Sequence, residues 1–176
     1  ALPEDRVYVS DSGRFMFAFW DALSVPNPRS YVDCNGFSSI GLGAATAMGA
    51  AVAAGDRPTV LVTGDGGFML SGLSELATAV AEQLDLVVVV ANDSSYGAEH
   101  IALTMHNMDP DISLLPSRDF ARIAEAFGFQ GLTVTNQEEL QAAMDAVKNR
   151  DGKRPLLIDV KIDPASVYGG TAIARP

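Results

Sequence analysis

The chain has 176 residues, 48% of them hydrophobic, enough for one domain with a sizeable core. Lys and Arg total 12 against 22 Asp and Glu, and a net charge of −10 argues against a nucleic-acid partner, which would need clustered basic residues. Cys34 is the only cysteine, so an internal disulfide and a thiolate metal cluster are both excluded, and a cytoplasmic compartment fits best.

The first apolar run, "VYVS" at Val7 to Ser10, follows an acidic start, "ALPEDR", that lacks the basic end of a signal peptide. A helix is expected over Arg14 to Leu23, then a short strand "YVD" at Tyr31 to Asp33. From Ile40 the run "GLGAATAMGAAVAAG" reads as a helix whose small residues suit close packing. "TVLVT" at Thr59 to Thr63 is a β-branched strand, and the following helix sets Leu73, Leu76, Ala77, Val80 and Leu84 on one face. "LVVVVA" at Leu86 to Ala91 is the next strand; neither it nor "TVLVT" approaches the roughly 20 residues a membrane helix needs. Residues 92–116 show no obvious element, and so long a loop is often functional. Helices capped by Ser117 and Asn136, "LTV" near Leu132 and "LLIDV" at Leu156 to Val160 complete the pattern. Trp20, Cys34 and the methionines are assigned to packing.

Strands alternating with helices, and apolar on both faces, predict a doubly wound α/β domain over residues 1–176, with a mostly parallel sheet of about six strands. Ligands of such sheets bind beyond the carboxyl ends of the strands. Asp65 ends one strand there and Asp93 ends the strand one βαβ unit later. Read singly, each acid is a turn or capping residue. Together they repel unless a cation lies between, and magnesium is the hard cation that uses one or two carboxylates with the oxygens of a bound phosphate. The amides near Gly66 and Gly67 would then meet a diphosphate, and glycine there would spare it a Cβ.

"GDGGF" from Gly64, "ELATAV" from Glu75 and "VVVVANDSSYG" ending at Gly97 resemble the signature of thiamin diphosphate-dependent enzymes. "NGFSSIGLGAATAMGAAVA" and "VYVSDSGRF" are similar to further segments of that family, so the likeness covers nearly the whole chain. It is to the C-terminal, diphosphate-binding domain of the group of acetolactate synthase, benzoylformate decarboxylase and pyruvate decarboxylase. The resemblance implies thiamin diphosphate and Mg2+ as cofactors, with Asp65, Asp93 and the Ser95 carbonyl as metal ligands. It puts Gly64, Gly66, Gly67, Asn92, Tyr96 and Gly97 around the diphosphate, Gly13 and Arg14 at its far end, and Ser38 and Ile40 by the aminopyrimidine. From periodicity alone Ile40 reads as core.

Three departures stand out against that resemblance. Arg14-Phe15 occupies a place that is often Gln-His. Asp93 replaces the commoner Asn, adding a charge that should strengthen magnesium binding. "GFMLSGLS" is one residue longer than in most relatives, which a bulge near Ser71-Gly72 would absorb. His100 and His106 are either surface loop residues or substrate contacts.

The resemblance also implies what lies elsewhere. The glutamate that activates the cofactor belongs to a pyrimidine-binding domain or subunit absent from these residues, so this chain alone is expected to be inactive. It is expected to be a fragment of a longer enzyme that is a homo-oligomer at full length, with one subunit of a split enzyme as the alternative. Decarboxylase or carboligase chemistry on a small 2-oxo acid is implied; a non-catalytic thiamin diphosphate-binding homologue or regulatory module is the alternative. A nucleotide-binding Rossmann domain fails because "GLGAATAMGA" lacks the third glycine at the required step.

Overall fold

The computed structural model describes residues 1–164. Six strands, β1 (Val7–Ser10), β2 (Tyr31–Asp33), β3 (Thr59–Gly64), β4 (Leu86–Asn92), β5 (Gln130–Val134) and β6 (Leu156–Lys161), form one parallel sheet. Their order is β2-β1-β3-β4-β6-β5. The predicted doubly wound architecture is therefore the observed one. On one face Val9, Leu61, Val88 and Leu157 pack with Phe68, Phe120 and Phe129; on the other Val60, Val87 and Leu156 meet Ala143 and Val147. Burial on both faces is why these strands carry unbroken apolar runs. The Phe68 and Phe120 rings meet edge to face at 5.6 Å, and each fully buried phenylalanine contributes about 1.5–3 kcal/mol of transfer free energy.

Helix α1 (Phe15–Ala22) lies close to its predicted span, whereas α2 (Gly43–Ala54) begins later than Ile40. Gly41 has φ +87°, a conformation that breaks the helical path and suits glycine alone. After β3 the chain runs through a helical turn, α3 (Asp65–Gly67), a π-helical stretch (Phe68–Gly72) and then α4 (Leu73–Ala81). The π turn lies where the extra residue called for a bulge, since such a turn carries one residue more than regular helix. Leu73, Leu76, Val80 and Leu84 pack on the core as the periodicity predicts, with Ala79 buried beside them; Ala77 is exposed.

Residues 92–116 are not the structureless loop expected. They contain α5 (Gly97–Met105) and a 3-10 turn at Asp111–Ser113. None of the α5 residues is buried, although Ala98, Ile101, Ala102 and Met105 recur at helical spacing. Helix α6 (Phe120–Phe127) is capped by Asp119, which accepts from Arg122 N at 3.0 Å, rather than by Ser117. The Arg118 carbonyl accepts from Asn92 Nδ2 and Lys161 Nζ, which keeps residues before Asp119 extended. Asn136 does cap α7 (Gln137–Asn149), accepting from Glu138 N and Glu139 N. Cys34 and Met48 are buried, but Trp20, Met105, Met108 and Met144 are exposed and not core residues. Among the described residues no helix is long and apolar enough to cross a membrane.

Candidate functional site

From β1 the chain moves outward to β2, then crosses back to lay β3 on the other side of β1. The loops leaving β1 and β3 therefore diverge, and such switch points open the cleft of a doubly wound sheet. A cavity of about 990 Å³ lies there. Gly13, Arg14, Ser38, Ile40, Gly64, Asp65, Gly66, Gly67, Asp93, Ser95, Tyr96 and Gly97 all border it. Of the residues proposed for the cofactor and metal, Asn92 alone does not.

Gly64 of β3 pairs with Ala91 of β4, so the chain continues into Asp65 and Asp93 at neighbouring strand tips. Both are buried. Burial pushes the Asp65 carboxyl up to about 6, and the adjacent Asp93 charge adds to the rise against hydrogen bonds from nearby backbone amides. Asp93 Oδ1 accepts from Ser95 N at 3.0 Å and Ser95 Oγ at 2.8 Å. Ser94, between them, has φ +55°, which bends the chain so that Ser95 turns back on Asp93.

Asp93 Oδ2 is met by Arg14 Nε at 2.7 Å, in an ion pair whose side chains are 13% and 7% exposed. Arg14 therefore stands at the carboxylate end of the cavity. Its Nη1 donates to the Pro164 carbonyl at 2.9 Å and its Nη2 to that of Asp163 at 3.1 Å. The extra negative charge of Asp93, read from sequence as a gain for a cation, comes with a guanidinium that offsets it.

The glycines serve packing more than expected. A Cβ on Gly66 would come within 2.7 Å of the Tyr96 ring, and one on Gly67 within 3.0 Å of Asp11 Oδ2. The space their missing side chains leave is thus used by the protein itself. Asn92 is buried with its amide donating to Asp159 Oδ1 at 2.8 Å and to the Arg118 carbonyl. Asp159, fully buried in β6, also accepts from Phe120 N at 2.9 Å and pairs with Lys161 at 2.8 Å. Asn92 ties the end of β4 to its neighbour and to α6.

Asp11 is the organising residue that sequence reasoning passed over. Its carboxylate accepts from Ser12 N, from Gly41 N and from Thr63 Oγ1, at 2.9, 3.2 and 2.9 Å. Those bonds join β1, β3 and the loop carrying Ser38 and Ile40. An acid at the end of a strand, in the same place as Asp65, was the available signal. The apolar wall of the cavity was missed as well: Phe15, Met16, Phe17 and Trp20 of α1 face Ile101 of α5. His100 Nδ1 pairs with Ser113 Oγ at 2.9 Å, and exposed His106 borders a second, smaller cavity of about 380 Å³. Neither borders the main one.

Two buried carboxylates, one of them with a raised pKa, form a donor set suited to a hard divalent cation that draws its remaining oxygens from backbone, water or phosphate. The described residues hold no cluster of three or more His, Cys, Asp and Glu side chains suited to a metal. A two-carboxylate site finished by other oxygens is the kind these residues can build.

Residues 11–160 match the family model described as "Thiamine pyrophosphate enzyme, C-terminal TPP binding domain". The chain belongs to this family. Its relatives include the Escherichia coli K12 acetolactate synthase isozyme 2 large subunit, 30% identical over 92% of this chain and 29% of that protein. The 2-hydroxyacyl-CoA lyase of Arabidopsis thaliana is 32% identical over 90% of this chain and 28% of the relative. Among solved structures, the thiamine diphosphate-dependent 4-hydroxybenzoylformate decarboxylase of Rhodococcus jostii RHA1 superposes with a TM-score of 0.80 at 28% identity, covering 92% of this chain and 30% of that one. The chain thus spans under a third of the length of these family members.

Proposed function

We propose that this chain is the magnesium- and diphosphate-holding half of a thiamin diphosphate-dependent enzyme that decarboxylates a 2-oxo acid or joins its carbon to a second carbonyl. The observation that carries the reading is the buried Asp65 and Asp93 pair at the switch-point cavity of a family member. In this reading the two side chains and the Ser95 carbonyl ligate Mg2+. Gly13, Gly64, Gly66, Gly67, Tyr96 and Gly97 surround the diphosphate, while Asn92 acts through the end of β4. Thiamin diphosphate bound there supplies the carbon nucleophile for a 2-oxo acid carbonyl.

The chain's own work is orientation and electrostatics. Asp65 and Asp93 fix the cation and with it the diphosphate. Ile40 would support the cofactor's ring system, and Ser38 would offer it main-chain groups. The Asp11 carboxylate holds Gly41 and so keeps Ile40 in place. The apolar wall of α1 and α5 keeps water from the reacting side of the cavity. A pyrimidine-binding domain or subunit supplies the activating glutamate, and full-length assembly is homo-oligomeric. Relatives named as a synthase, a lyase and a decarboxylase support carbon–carbon bond chemistry as the common class.

Calorimetric titration of the chain with thiamin diphosphate, with Mg2+ and again with a chelator, tests this reading. Binding is expected only with the metal and is expected to vanish in D65N. Equal affinity in chelator, or an unaffected D65N, would overturn the metal-bridged site.

A further inference from the structure

The contact that the proposed site does not use is the ion pair between Arg14 and Asp93. It is built in. Both side chains are largely buried, and Gly97 makes room for them: a Cβ there would lie 2.5 Å from Asp93 Oδ2 and 2.7 Å from Arg14 Cδ. Arg14 thus occupies the carboxylate oxygen that Ser95 leaves, since Oδ1 is engaged by Ser95.

We propose that Arg14 is the resident counter-charge of Asp93 and that cation loading is an exchange, in which the divalent metal takes Asp93 as the guanidinium leaves it for the diphosphate. The proposal rests on the reading of Asp93 as a metal ligand. A guanidinium 2.7 Å from an oxygen that also binds a doubly charged ion would place like charges together in a buried site, where screening is weak. The other contacts of Arg14 given above are to the neutral carbonyls of Asp163 and Pro164, which hold its head at the cavity wall without competing for the metal. The edge that leaves Asp93 then meets an anion inside the same cavity, and guanidinium suits phosphate through paired N–H donors. Metal alone must displace Arg14, whereas metal with diphosphate gives every charge a partner. The two ligands therefore bind with positive coupling, and by linkage each raises the affinity of the other equally.

The test uses Mn2+ and inorganic pyrophosphate as probes on the chain, with R14M and D93A beside wild type. By electron paramagnetic resonance, R14M is expected to bind Mn2+ without phosphate roughly tenfold more tightly than wild type, a size typical of coupling between sites. At saturating Mg2+ it is expected to bind pyrophosphate roughly tenfold more weakly by calorimetry, so the two affinities move in opposite directions. A merely structural role would weaken both. In 15N-labelled wild type the Arg14 Nε–H signal, identified by its loss in R14M, is expected to shift when Mg2+ is added. R14Q gives the same affinity readouts should R14M not fold. Unchanged or weaker Mn2+ binding in the Arg14 variants, or an unmoved Nε–H signal, overturns the exchange. If D93A nonetheless loses Mn2+, the metal-site reading stands without it; if D93A binds Mn2+ as wild type does, both fall.

Discussion

Asp11 and Gly41 are joined by a bond from the Gly41 N–H to a carboxylate that also holds Thr63 and the Ser12 amide, all in the protein interior. That one side chain couples the end of β1, the end of β3 and the loop beneath the cavity. Removing it leaves several buried donors without an acceptor, each at a cost of about 1–3 kcal/mol. D11A is therefore expected to lose about 2–4 kcal/mol of stability in urea unfolding, within the range of broken buried networks. Thiamin diphosphate affinity is expected to fall with it, because the Asp11 carboxylate holds Gly41, next to Ile40, and lies close to Gly67. A D11A variant as stable as wild type would show that the hub is dispensable.

The Tyr96 ring lies where a side chain on Gly66 would be. G66A forces the ring or the turn to move, and such overpacking costs about 1–3 kcal/mol. Residues in direct contact are not additive. The pair G66A/Y96A is accordingly expected to be little less stable than Y96A alone in denaturant titrations. Full additivity would mean that Gly66 is needed for its backbone and not for the ring.

The sheet could be read from the sequence because "TVLVT" and "LVVVVA" are short, rich in β-branched residues and without a charged position that would mark a solvent face. The carboxylate pair could be read because Asp65 and Asp93 end consecutive strands of one βαβ unit. What escaped reading depended on partners distant in sequence. The ion pair of Arg14 with Asp93 had no local signal, because only the fold brings the two together. Asn92 looked like a cavity residue until β6 offered Asp159 to its amide. Ser117 has the chemistry of a helix cap, but Asn92 and Lys161 hold the adjacent Arg118 carbonyl and shift the start to Asp119. Asp11 drew no reading at all, because Thr63 and Gly41, which converge on it, lie far along the chain.

Asp65 carries the cost of the proposed site. Its carboxyl is pushed up to about 6 in the fold, first by burial and then by Asp93, whereas an unfolded aspartate titrates near 3.9. A raised folded pKa means that the native state holds the proton more tightly than the unfolded chain does. This contribution is fully present below about pH 4 and is lost as pH rises through about 6. At neutral pH, without metal, the charged carboxylate works against folding, and a bound cation relieves it. D65N, of nearly equal shape, is thus expected to be at least as stable as wild type at pH 7.5 in chelator and to lose less stability between pH 4.5 and 7.5. Added Mg2+ is expected to raise the unfolding midpoint of wild type at pH 7.5 and leave that of D65N unchanged. Chemical denaturation at the two pH values, with and without Mg2+, checks all three. If D65N proves less stable than wild type at pH 7.5 without metal, the hydrogen bonds to the charged carboxylate outweigh its burial, and the site is held together by its own backbone before any cation arrives.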